Sequence, residues 1–201
     1  MNKKQLALEL SKLDEFTSPN VKLEQYPTTS EIAADALWQI NLDKNIKDKV
    51  IADFGCGHGV LGIGALILGA KKVYFVDVDK DALSIAKTNL KSLNKNFKSY
   101  FMNKNIKDVK IKTDIVIQNP PFGVKSTHSD KIFLLKAMET APVIYSFHKY
   151  STKKFVESFC KDHNFTPRLI QRYKFPLKRS MFFHIKRVHL VDVGVWRITK
   201  N

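Results

Sequence analysis

Apolar runs of strand length alternate along this chain with segments of helical period, and that alternation restricts the fold more than any other feature. Strands are expected at 50–54, 72–77, 98–102, 114–118 and 141–147, with helices at 60–69, 80–93, 130–139 and 151–163 between and after them. The strands read as nearly continuous apolar runs, the pattern of strands covered on both faces. An open, mainly parallel sheet of the α/β class follows. Residues 166–198 read as two long strands around Pro176. Ahead of the alternation, residues 2–15 form an amphipathic helix with Leu6, Leu10 and Leu13 on one face. A loop over 17–28 follows, and Ser30 opens a second helix with Ile32, Ala33, Ala36, Leu37 and Ile40 at helical spacing. No linker is visible, so 1–201 is expected to be one domain, with the helices of 1–40 covering its ligand site.

The longest apolar run, Val60 to Ala70, contains three glycines and is too short to cross a bilayer. The segment MNKKQLALELSKLDEF carries charges throughout and lacks a small-residue cleavage site, unlike a secretory signal. Cys56 and Cys160 are the only cysteines, which excludes a disulfide framework and a four-cysteine zinc site, and a cytoplasmic location is expected. Lys plus Arg number 34 against 19 Asp plus Glu, a net charge of +15. Residues 151–201 hold 12 of the former and 3 of the latter, a net +9. Such a field attracts polyanions, and nucleic acid is the expected partner class.

VIADFGCGHGVLGIGA, residues 50–65, joins a buried strand to a helix through Gly55, Gly57 and Gly59. Glycine permits a tight turn and lets a ligand lie on bare backbone, while the helix start offers unpaired N–H groups. The next strand ends on Asp77, 18 residues beyond Gly59, the distance at which a carboxylate meets ribose hydroxyls. Asp79 falls past that strand and is a candidate helix cap instead. Asp53, just before the glycines, repels a pyrophosphate but suits a cationic amino-acid end. The pattern resembles the S-adenosylmethionine turn of class I methyltransferases more than a dinucleotide site.

IVIQNPPFGV, residues 115–124, ends a buried strand on Asn119 and fixes the next two positions with Pro120 and Pro121. Rigid acceptors then point into the cleft from the carboxyl edge of the sheet. An exocyclic amine has its lone pair delocalised into the ring. Acceptors on its two N–H bonds draw it toward a more nucleophilic geometry and hold it in line with a methyl group. Phe122 suits stacking on a planar base. The bland alternative is a proline turn after a strand.

LEQYPTTSEIAADALWQI, DFGCGHGVLGIGALILGA, FVDVDKDAL, NPPFG and YSFHK together resemble the small-subunit ribosomal RNA adenine-N6 methyltransferases of archaea and eukaryotes. The resemblance implies a Rossmann-like class I fold: seven strands, mostly parallel, the last antiparallel. It implies methyl transfer from S-adenosylmethionine to N6 of an adenine, and a small zinc-containing activator protein as partner. Gln25 and Thr28 would close over the cofactor; Gly55, His58 and Val60 would line its amino-acid end, and Asp77 would hold its ribose. Asn105 and Ile106 stand where the family has an acidic residue for the cofactor adenine. His148 and Lys149, at the end of the fifth strand, would touch RNA, with capping as the alternative. Tyr145 is left between core and cleft. KRSMFFHIKR, 178–187, interleaves aromatics including Phe183 with Lys178, Arg179, Lys186 and Arg187, a mixture suited to single-stranded RNA or to a charged edge strand. Guanine N2 in RNA, a glutamine side chain in a protein, and a non-catalytic RNA-binding module remain as alternatives.

Overall fold

A computed structural model of the chain describes residues 1–16, 27–121, 129–177 and 189–201. The N-terminal helix α1 spans Lys3–Leu10 and is closed by a capping box in which Asn2 and Gln5 satisfy each other's backbone amides. It is shorter than the expected 2–15, yet Leu13 beyond it is still buried. Helix α2 covers Ser30–Leu42, and Thr29 caps it by accepting from the Ile32 amide.

The alternation then runs β1 Val50–Phe54, α3 Val60–Ile67, β2 Lys72–Asp77, α4 Lys80–Ser92, β3 Ser99–Asn103, β4 Ile115–Gln118, α5 Ser129–Thr140, β5 Val143–Lys149 and α6 Lys153–Asp162. Two long strands follow, β6 Phe165–Leu177 and β7 His189–Lys200. Each expected element is present. Strand β5 begins two residues later than expected because α5 continues to Thr140 and Pro142 follows it.

The seven strands form one sheet in the order β3-β2-β1-β4-β5-β7-β6. Pairings among β1 to β5 are parallel, while β7 runs antiparallel to both β5 and β6. Strand β6 contains Pro167 and Pro176, and its place at the sheet edge accommodates the donors they lack.

Each face of the sheet has its own core. Leu6, Leu10, Ala33 and Leu37 of the N-terminal helices, with Ile63 of α3 and Leu83 of α4, pack on Ile51, Phe75, Ile117 and Phe147. On the other face Leu134 and Ala137 of α5, with Val156 and Phe159 of α6, pack on Phe54, Val116, Ile144 and Trp196. Tyr145 belongs to the first core; its hydroxyl donates to Asp43 Oδ2 at 3.1 Å and accepts from Asn45 at 2.8 Å. It is a core residue that anchors the end of α2.

Helix α3 lies close on the sheet. A Cβ added at Gly62 would sit 2.4 Å from a ring carbon of Phe75 and 2.9 Å from Asp53 Oδ2. Phe75 cannot yield freely, because it stacks on Phe101 with centroids 4.7 Å apart. Although alanine is the better helix former, Gly62→Ala is expected to destabilise the fold by about 1–3 kcal/mol through overpacking. Denaturant unfolding checks this; equal or greater stability would show that the contact relaxes.

Candidate active site

The parallel register sets three chemical groups side by side. Phe54 of β1 is paired with Val76 of β2 and with Gln118 of β4. Gly55, Asp77 and Asn119 each lie one residue further on, at the carboxyl edge. With strands about 4.8 Å apart, Asp77 and Asn119 flank the glycine turn at roughly 10 Å from each other.

The turn needs its glycines. Gly55, Gly57 and Gly59 have φ of 66°, 55° and 91°, in the left-handed region. The amides of Gly55 and Cys56 both donate to the Val76 carbonyl, at 2.8 and 3.1 Å. Side-chain bulk is also excluded: a Cβ at Gly55 would meet Phe133 of α5 at 3.2 Å, and one at Gly57 would meet Phe16 at 3.2 Å.

Asp77 Oδ2 accepts from the Gly57 amide at 2.9 Å and Oδ1 from the Asp79 amide at 2.9 Å. Its carboxyl is raised from the ordinary value, chiefly by burial, against these backbone bonds. Asp79 takes the capping role, accepting from the Asp81 and Ala82 amides. Asn103 donates to the carbonyls of Asp77 and Val78, at 3.2 and 2.8 Å, and fixes the chain where β2 ends.

Asp53 is buried below the turn and accepts from the Gly62 amide at 2.8 Å. Gly59 caps α3 but offers no side chain, so Asp53 supplies the missing acceptor. Burial first, and then Asp77, push its carboxyl up to about 7, against the Gly62 bond.

His58 and Val60 are buried in the turn and at the start of α3. Burial lowers His58 below its ordinary value, so the ring is neutral near pH 7, and it meets Phe16 edge-on at 5.6 Å. Thr28 is buried and its hydroxyl accepts from the Asn119 amide nitrogen at 2.9 Å. With that nitrogen committed, Asn119 Oδ1 is buried without a partner among the described residues. An orphaned acceptor costs free energy unless a ligand satisfies it. Pro120 is buried and Pro121 half-buried beside it.

One assignment needs correction. His148 is buried, not offered to RNA: its Nε2 lies 2.7 Å from Ser146 Oγ, which also accepts from Gln118 Nε2 at 3.0 Å. Burial depresses its pKa to about 3. Asn105 is exposed and its side chain caps a short 3-10 helix by accepting from the Lys107 amide at 3.1 Å. Ile106 is buried in the second core beside that cap. Lys149 is half-buried at the end of β5. Gln25, Phe122, Lys178, Arg179, Phe183, Lys186 and Arg187 lie outside the described residues.

Sequence reasoning missed Asn89. It is buried on α4, donates to the carbonyls of His58 and Asp14 at 3.0 Å each, and accepts from the Asp14 amide at 2.8 Å. The signal was an asparagine on the same helix face as Ala82, Ala86 and Leu90. Phe16 and Phe133, which wall the turn, carry no comparable signal.

Residues 30–142 match the family model described as the methyltransferase small domain. The rRNA N(6)-adenosine-methyltransferase METTL5 of Danio rerio is 35% identical over 99% of this chain and 99% of its own. The chain belongs to this methyltransferase family. A crystal structure of a Pyrococcus horikoshii protein, 40% identical, superposes with a TM-score of 0.87 over 100% of this chain and 98% of that one. Magnesium protoporphyrin IX methyltransferase from Synechocystis with bound S-adenosylmethionine shares the fold alone, at 13% identity and a TM-score of 0.68 over 100% of this chain and 98% of that one.

S-adenosylmethionine is the cofactor of this family, and the residues present fit it. The glycine turn leaves a cradle that side chains would fill, and Asp77 stands at the neighbouring strand end. The buried carboxylates complement the positive charge of its sulfonium and ammonium groups. A cationic ligand favours ionised Asp53, so at a pH below about 7 binding must release its proton. Affinity is therefore expected to rise up to about tenfold per pH unit below 7 and to level off above it. Calorimetry across this range checks the sign, and Asp53→Asn should flatten the profile. The same slope in that variant would assign the titration elsewhere.

Proposed function

We propose that the protein transfers methyl from S-adenosylmethionine to N6 of an adenine in RNA, in particular small-subunit ribosomal RNA. The unpartnered Asn119 Oδ1 at the end of β4 carries this reading. An amide oxygen there accepts one N–H of an exocyclic amine, and the Pro120 carbonyl is the natural acceptor for the other. These two bonds localise the lone pair on nitrogen and orient it. The cofactor supplies an electrophilic methyl carbon. The N–C bond forms as the C–S bond breaks, and the nitrogen then loses its proton to water, so no basic side chain is required. The full-length METTL5 relative, named for adenosine in rRNA, favours adenine over the alternatives.

A protein partner fits the same picture. Strand β3 is a sheet edge, and Tyr100 on it is 55% exposed, stacked on Tyr74 at 5.2 Å with the Lys72 ammonium above. An exposed edge with an aromatic face suits strand addition by a small activator such as the zinc-containing protein of the family.

Asn119→Ala should abolish transfer, with cofactor affinity held within a few-fold, because the amide serves the amine. Wild-type turnover in this variant would refute the assignment. In nucleosides from ribosomal RNA of a strain lacking the protein, mass spectrometry should show the loss of one N6-methyladenosine. Loss of a methylguanosine instead would transfer the reading to guanine.

A further inference from the structure

The amino edge of the sheet, opposite the cleft, is lined with lysines. Lys49, Lys71 and Lys98 immediately precede β1, β2 and β3, and Lys110 lies before β4. Backbone bonds bring them together: the Lys71 amide donates to the Lys49 carbonyl at 2.9 Å, and the Val73 amide to the Lys98 carbonyl at 3.1 Å. Lys47 joins them, its Cγ 3.6 Å from where a Cβ of Gly69 would stand.

None of these five forms an ion pair among the described residues, whereas Lys3, Lys12, Lys136, Lys153 and Lys174 do. The acids of this edge offset only part of the charge of the five lysines. The Asp114 carboxylate accepts the Val50 amide at 2.7 Å, and Asp48 is a single exposed charge. The C-terminal ends of α3 and α4 also face this edge, but a helix end contributes only about half a charge. The repulsion within the band therefore remains for a polyanion to relieve.

We propose that this band is a second RNA-binding surface, so that the substrate is a folded RNA whose phosphates engage both ends of the sheet. The proposal rests on the reading of the protein as an RNA methyltransferase. The six residue steps from Lys49 to Gly55 separate the band from the glycine turn by about 20 Å at the rise of a strand. A strand of two or three nucleotides held at Asn119, at about 3.4 Å per nucleotide, does not span that distance around the molecule, but a folded RNA with two separated backbone segments does.

The test compares wild type with the variant carrying Lys47→Gln, Lys71→Gln and Lys98→Gln. Deproteinised small-subunit ribosomal RNA is one probe, and a single-stranded adenine-containing oligonucleotide of about three nucleotides is the other. The variant should bind the folded RNA about tenfold more weakly, and its log–log salt slope should shrink by about two to three units, since each phosphate contact contributes roughly 0.7–0.9. Affinity for the short strand should stay within about twofold, and cofactor affinity should not change. An unchanged affinity and slope for the folded RNA would overturn the proposal and leave an acidic protein as the partner of the band. An equal loss on both probes would also overturn it, because charge would then act at no particular place. Wild type that neither binds nor methylates either RNA would instead refute the RNA reading itself.

Discussion

Two carboxylates, Asp53 and Asp77, hold the glycine turn in the shape on which the cleft depends. Asp53 binds the Gly62 amide in the first turn of α3, and Asp77 binds the Gly57 amide within the loop. Left-handed glycines make the loop possible but do not by themselves hold it. Both carboxylates are displaced upward by burial, so the fold keeps negative charge where water would solvate it better. A cationic ligand relieves that cost, so the charge arrangement that opposes an isolated site favours an occupied one.

The turn would remain open on one side without the N-terminal third of the chain. Asp14 is held by Asn89, Phe16 lies against His58 and Gly57, and Thr28 fixes the Asn119 amide. Each contact joins residues far apart in sequence, and each ends on a different part of the cleft. The Thr28 bond engages the amide nitrogen of Asn119 and leaves its oxygen without a partner among the described residues. The proposed acceptor at the end of β4 is thus oriented by the residue before the cap of α2.

Much of this arrangement was legible in the sequence. Continuous apolar runs separated by helical segments indicate parallel strands, and in a parallel sheet the strand ends Asp77 and Asn119 must share the edge that holds the glycine turn. Asp79 read as a cap because it falls past its strand. The failures also have physical causes. His148 looked available because it ends a strand, but it shares a sheet face with Ser146 and Gln118, and α5 and α6 cover that face. Asn105, just past β3, also has a local role, because a following turn with unpaired amides engages an asparagine. Phe16 and Phe133 reach the turn through tertiary packing alone, which no local pattern encodes.

The same topology separates two kinds of electrostatics. Carboxyl ends of β1, β2 and β4 gather buried groups in a low-dielectric cleft, while their amino ends gather exposed lysines about 20 Å away at the rise of a strand. At physiological ionic strength, screening acts over about 8 Å, so the lysines do not set the protonation of Asp53 or Asp77. Capture of a polyanion and binding of a cationic cofactor can therefore be tuned independently, although both use charge. A band of lysines beside the turn would have lowered both carboxyls and competed for them. Its placement at the far edge allows a chain with a net charge of +15 to keep two buried carboxyls at the glycine turn.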